Sequence, residues 1–174
     1  MAKKLHCMVD IETLATRPNA AIIQIGGCKF DPESDLITEE FCINVTPQSS
    51  KAAGLFVDPE TIEWWKKQDK EVIKSLQTDQ VSLSDALREV WRWYKKEDDV
   101  IWAWGSSFDA PILESAFIAC DMRQPWKYWK FQCARTIANV FSIDKERGSG
   151  SHNAQYDAVD QAKLIQKFYA AMRG

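Results

Sequence analysis

Histidine is almost missing from this chain, with only His6 and His152 in 174 residues. That scarcity argues against a structural zinc site of the histidine–cysteine kind. Cysteine is present but scattered, at Cys7, Cys28, Cys42, Cys120 and Cys133. An odd count with no Cys-x-x-Cys pair speaks against both a disulfide framework and a zinc ribbon. Several of these cysteines fall in apolar stretches, where a free thiol packs as a small hydrophobe, and the pattern suits a reducing, cytoplasmic setting. No apolar run is long enough to cross a membrane, and Met1-Ala2-Lys3-Lys4 leads straight into a strand-like segment with no secretory apolar core, so no membrane partner is expected. The glycine-bearing loop Gly148-Ser149-Gly150 is not followed by Gly-Lys-Ser/Thr, which excludes a P-loop. The segment from Asp144 to Asp157 lacks the Gly and Glu positions of an EF-hand. A surplus of positive charge is missing too, because 22 Lys and Arg face 25 Asp and Glu for a net charge of −3. No global field therefore advertises an anionic polymer as partner, although bound cations can neutralise an acidic site locally.

What is present is an ordinary globular composition, 45% apolar and 27% charged, in a length that supports one domain (residues 1–174) with a full core. Leu5 to Glu12 reads as a strand, with Cys7, Val9 and Ile11 on one face and Met8, Asp10 and Glu12 on the other. Ala21 to Phe30 is a second strand, in which Gly26-Gly27 points to a bulge or a close backbone approach. Asp31-Pro32-Glu33-Ser34 is a turn, and Leu36 to Val45 a third strand, so these strands form an antiparallel meander. Helices follow at Asp58 through Trp65, from Asp69, and from Ser82 or Ser84 with Leu83, Leu87, Val90, Trp91 and Tyr94 at helical spacing. Val100 to Trp104 and Phe131 to Cys133 read as short strands. Pro111 to Cys120, Arg135 to Phe141 and Tyr156 to Met172 read as helices, and Asp144 to Ser151 as a polar loop. Meander followed by helix–strand alternation predicts an α/β domain with a mixed sheet. Trp91, Trp93, Trp102 and Trp104 are assigned to the core, and the Lys66-Lys67 and Lys95-Lys96 pairs to solvated helix ends.

Acidic-x-acidic pairs recur along the chain, mostly in turns or helix starts. Asp10/Glu12 differs because it closes an apolar strand. A rise of about 3.3 Å per residue stands both carboxylates on one face at a separation that can clamp an ion. Asp109 precedes Pro111 and a helix, so it can serve as an N-cap, as a metal ligand at the sheet edge, or as both. Asp157 is a helix-start acid, with Asp160 as its competitor one turn later. His152 follows the polar loop, where it is either an exposed loop residue or one that swings in with substrate.

Taken together, Asp10-Ile11-Glu12-Thr13, Phe108-Asp109 and His152-Asn153-Ala154-Gln155-Tyr156-Asp157-Ala158 resemble the motifs of the DEDD superfamily of 3′–5′ exonucleases, His subtype, over about residues 5 to 172. The small stand-alone bacterial and phage members look most similar. The resemblance implies an RNase H-like fold: a five-stranded mixed sheet flanked by helices. It implies that Asp10, Glu12, Asp109 and Asp157 hold two Mg²⁺ or Mn²⁺ ions and that His152 is the general base. Single-stranded or 3′-overhang RNA or DNA would be the partner, trimmed to 5′-mononucleotides. Thr13 and Leu14 would line the terminal-nucleotide pocket. Phe108 is open between stacking on a base and packing in the core. Trp64 and Trp65 point about 100° apart on a helix, so one is free to stack on substrate, with Trp65 the candidate, or to fill a homodimer interface. Arg135 is open between a phosphate and a buried carboxylate. A catalytically silent nucleic-acid-binding module and another two-metal phosphoesterase are the alternatives.

Overall fold

The computed structural model describes residues 4–95, 100–143 and 152–173, so the loop read from Asp144 to Ser151, and Lys96, lie outside the described residues. Strands β1 (His6–Thr13), β2 (Ile22–Phe30) and β3 (Ile37–Asn44) form the expected antiparallel meander. The turn between β2 and β3 is closed by Asp31, whose carboxylate accepts from the Glu33 N–H at 3.0 Å and the Ser34 hydroxyl at 2.6 Å. Helices α1 (Pro47–Ala52), α2 (Pro59–Trp65), α3 (Lys70–Leu76) and α4 (Leu83–Trp93) follow. Next come β4 (Ile101–Ala103), α5 (Asp109–Ala119), β5 (Phe131–Cys133), α6 (Ala134–Phe141) and α7 (Ala154–Arg173). β4 lies parallel to β1 and β5 parallel to β4, which completes a mixed sheet of order β3-β2-β1-β4-β5.

The period-two alternation of β1 divides the core. Cys7, Val9 and Ile11 pack with Leu83, Leu87 and Val90 of α4 and with Ile112, Leu113 and Phe117 of α5. Met8, Cys28, Phe30 and Trp102 pack on the opposite face with Ala134 and Ala138 of α6 and Ala158, Ala162 and Ile165 of α7. The alanines bring α7 close to the sheet, on the same face that carries Asp10 and Glu12. Among the described residues no helix is long and apolar enough to cross a membrane.

Several local expectations are refined. Helix α1 was not expected, although Thr46-Pro47 is a fair start signal because proline suits the first helical turn. Helix α5 begins at Asp109, with Pro111 tolerated in its first turn. Ser82, not Ser84, caps α4. Of the tryptophans assigned to the core, Trp102 is buried and Trp93 and Trp104 are half-buried, but Trp91 is 52% exposed. The buried stripe of α4 runs through Leu83, Ala86, Leu87 and Val90 and passes Trp91 by.

Candidate active site

Asp10 and Glu12 stand near the C-terminal end of β1, and Asp157 stands in the first turn of α7. One carboxylate oxygen from each lies within 4.8 Å of the other two. Opposite oxygens around a hard divalent cation held at about 2.1–2.6 Å are separated by about 4.2–5.2 Å, so three oxygens gathered this closely suit such a cation.

The start of α7 is held in place by several independent contacts. Gly26 lets it touch the sheet: a Cβ there would meet the Ala154 carbonyl carbon and the Gln155 nitrogen, each at 2.2 Å. This is the close approach expected from Gly26-Gly27, and a register shift between Gly27 and Lys29 adds the expected irregularity. The Ala154 N–H donates to Gln24 Oε1 at 2.8 Å, while Gln24 Nε2 donates to Asn44 Oδ1 at 2.7 Å. Asn153 Oδ1 accepts from the N–H groups of Gln155 and Tyr156, as an N-cap does. His152 has a left-handed backbone with φ of 67°, and its N–H donates to Asp157 Oδ2 at 3.2 Å.

Asp109 is 3% exposed, and its carboxylate accepts the Gly105 N–H at 3.3 Å. It lies outside the group of three carboxylates but close to Asp10. Burial, then the charges of Asp109 and Glu12, push the Asp10 carboxyl well above the ordinary range. Burial likewise raises Asp109 to about 7, against backbone N–H groups and Arg135 that lower it. Of the two partners left open for Arg135, a buried carboxylate is thus one that its charge does reach, and its guanidinium also sits 5.7 Å over the Trp104 ring.

These shifts set a pH dependence. With folded-state values above the ordinary 3.8, Asp10 and Asp109 bind protons in the native protein that the unfolded chain has released. Their contribution therefore favours folding at low pH and is lost as pH rises, for Asp109 between 3.8 and about 7. In EDTA the melting temperature should lose this contribution over that window. Mn²⁺, which needs deprotonated carboxylates, should stabilise more at about pH 8 than at about pH 5. Melting curves with equal Mn²⁺ stabilisation at both would contradict this.

Beside Glu12 opens a cavity of about 500 Å³ whose lining includes Thr13, Thr61, Trp64, Trp65 and Phe108. Trp65 is buried and donates Nε1–H to the Thr13 carbonyl at 2.9 Å, while Trp64 remains 43% exposed. The His152 ring meets both edge to face, at 5.0 Å from Trp64 and 5.9 Å from Trp65. Leu14 packs with the cluster of Ile23, Trp65 and Leu76 instead of lining this cavity. The structure thus brings Asp10, Glu12 and Asp157 together, sets Asp109 beside Asp10, and places Thr13, Trp65 and Phe108 around one cavity.

Gln24 and Gln161 were not singled out from sequence. Gln161 Nε2 donates to Asp10 Oδ1 at 2.7 Å. The i,i+4 spacing from Asp157 puts Gln161 on the same helix face, and that spacing was the available signal.

A mixed sheet of this order, with carboxylates gathered where β1 meets α7, defines the class of RNase H-like folds. More particularly, the chain belongs to the family of Rv2179c-like 3′–5′ exoribonuclease domains, which it matches over residues 5–169. It is 30% identical over 120 residues to an exodeoxyribonuclease of enterobacteria phage T4, a match taking in 61% of this chain and 52% of the phage protein. The chain thus spans about half of that relative. Similar solved structures include exonuclease X in complex with 5′-overhanging duplex DNA, at 15% identity and a TM-score of 0.61, covering 97% of this chain and 93% of that one. E. coli exonuclease I with a dA16 oligonucleotide has 12% identity and a TM-score of 0.69 over 98% and 43% of the two chains. S. pombe Pop2p in its Mg²⁺- and Mn²⁺-bound form has 16% identity and a TM-score of 0.60 over 95% and 82%. These likenesses establish the RNase H-like fold expected from the motifs.

Proposed function

We propose that residues 1–174 form one catalytic domain that removes 5′-mononucleotides from the 3′ end of single-stranded or 3′-overhang RNA or DNA, using two Mg²⁺ or Mn²⁺ ions. The observation that carries this is the meeting of the Asp10, Glu12 and Asp157 oxygens within 4.8 Å, beside a cavity large enough for a nucleotide. Family membership supports the direction of attack and the exonuclease class.

Asp10, Glu12, Asp109 and Asp157 would hold the cations. Cations bound there would lower the pKa of a coordinated water and compensate negative charge developing at the scissile phosphodiester. The chain's own residues do the rest. Thr13, Phe108 and the two tryptophans enclose the terminal nucleoside, with the open face of Trp64 and the Phe108 ring available for stacking. Trp65 supports that wall through its bond to the Thr13 carbonyl. His152 accepts the proton of the attacking water, a role that a neutral imidazole nitrogen can fill. Its ring is seated by Trp64 and Trp65 and its backbone by Asp157. A cytoplasmic setting fits the free cysteines Cys7, Cys28, Cys42, Cys120 and Cys133. A homodimer is part of the proposal only as an arrangement to be tested by sedimentation.

The test is degradation of 5′-labelled single-stranded RNA and DNA of one sequence with Mg²⁺ or Mn²⁺, with EDTA and His152→Ala as controls. A ladder shortening from the 3′ end is expected, absent in EDTA and slowed about 10²–10⁴-fold in His152→Ala. The faster ladder names the preferred sugar. Cutting that persists on a blocked 3′ end would favour an endonuclease, and intact binding without cleavage would favour a silent binding module.

A further inference from the structure

Gln161 is 1% exposed, and its side chain carries a mismatch that no other described side chain shares. Its Nε2 donates to Asp10 Oδ1 at 2.7 Å, while its Oε1 is buried without a hydrogen-bond partner. Gln24, equally buried, has both halves of its amide matched, by the Ala154 N–H and by Asn44. Leaving a buried acceptor unmatched is costly, so the orphan points to a donor that arrives with something else. Around Gln161 the ionisable groups that face Asp10 are Asp109, Glu12 and Asp157. With a cation bound they are ionised carboxylates, which only accept hydrogen bonds and cannot complete the amide. A water molecule polarised by a cation can.

We infer that Gln161 is a positioning residue of the metal centre: its Nε2 holds Asp10 in a ligating orientation, and its Oε1 accepts a hydrogen bond from water that enters with the cation. The inference rests on the metal-dependent nuclease reading and gives it a specific support residue. Such supports orient ligands that would otherwise turn away, and their loss typically costs about 10–100-fold in metal affinity. Helix geometry supplies the means. Gln161 follows Asp157 by one turn, so α7 delivers a metal ligand and the residue that steadies a second ligand on β1.

The experiment measures Mn²⁺ binding to the whole chain by calorimetry, without nucleic acid, for the wild type and for Gln161→Met, which keeps the volume and loses the amide. Affinity is expected to fall about tenfold, and the Mg²⁺ concentration for half-maximal turnover to rise by about the same factor, with kcat at saturating Mg²⁺ changed by less than about threefold. A packing role alone would not split metal dependence from kcat in this way. Unchanged Mn²⁺ affinity in a folded Gln161→Met overturns the inference, as does a fall in kcat that saturating Mg²⁺ leaves uncorrected. Should that variant not fold, NMR of glutamine-labelled wild type decides: the Gln161 side-chain amide resonances are expected to move on Mg²⁺ titration, and indifference to Mg²⁺ overturns the inference. A wild type that binds no Mn²⁺ overturns the nuclease reading together with it. Normal binding with an indifferent Gln161 removes this inference alone.

Discussion

Asp10→Asn is expected to lower kcat/KM by at least about a thousandfold, a barrier increase of about 4 kcal/mol, and to make the metal-free protein more stable. Both effects come from the same crowding. Asp10 sits where burial and the charges of Asp109, Glu12 and Asp157 all oppose its ionisation. A bound cation turns that repulsion into coordination; without one it weighs against the fold. Asparagine has nearly the same shape, removes one negative charge and still offers Oδ1 to Gln161 Nε2, which lies 2.7 Å from the present Oδ1. A gain of about 1–2 kcal/mol, or about 2–8 °C in melting temperature, is expected for a chain of this size in EDTA. In saturating Mn²⁺ the order should reverse, because the wild type gains binding energy that the variant forfeits. Calorimetry in both conditions, with 3′-end degradation alongside, checks this. A variant that turns over normally would remove Asp10 from the metal site.

Gly26→Ala is expected to damage stability and activity together, although residue 26 bears no functional group. The added Cβ would stand 2.2 Å from the backbone of Ala154 and Gln155, a distance that only a shift of the α7 start can relieve. Overpacking of this kind costs about 1–3 kcal/mol or more. The segment that must move carries His152 and Asp157, and a misplacement of about 1 Å near a reacting centre costs about a hundredfold in rate. Gly54→Ala is the matched control. Nothing lies within 4 Å of a Cβ at that position, but its φ of +85° makes the backbone strain local. It should lose about 1 kcal/mol and leave kcat and Mn²⁺ affinity unchanged. Denaturation midpoints and metal titration of the two variants separate these outcomes. Normal Mn²⁺ affinity in Gly26→Ala would show that the α7 start is not tied to the sheet as described.

Alternation along β1 was enough to place Asp10 and Glu12 on one face opposite Cys7, Val9 and Ile11, because side-chain direction in a strand is a property of consecutive residues. The helix starts at Asp58 and Asp69 and the turn at Asp31 were legible for the same reason, each being made between residues a few positions apart. The last helix, by contrast, opens at Ala154, two residues before the Tyr156 start read from the sequence. Gly26-Gly27 announced a close approach without saying to what. Which tryptophan turns inward, Trp65 and not Trp64, depended on the Thr13 carbonyl lying within reach of its indole, a contact across 52 positions. That Gln161 meets Asp10 across 151 positions, and that Gln24 seats α7 across 130, was likewise decided only when the sheet and helix packed. Local periodicity and turn chemistry, which a sequence carries on its face, determined the elements and the candidate carboxylates. The distances among those carboxylates and the residues that steady them belong to the tertiary structure, since they follow from the close packing of segments far apart in the chain.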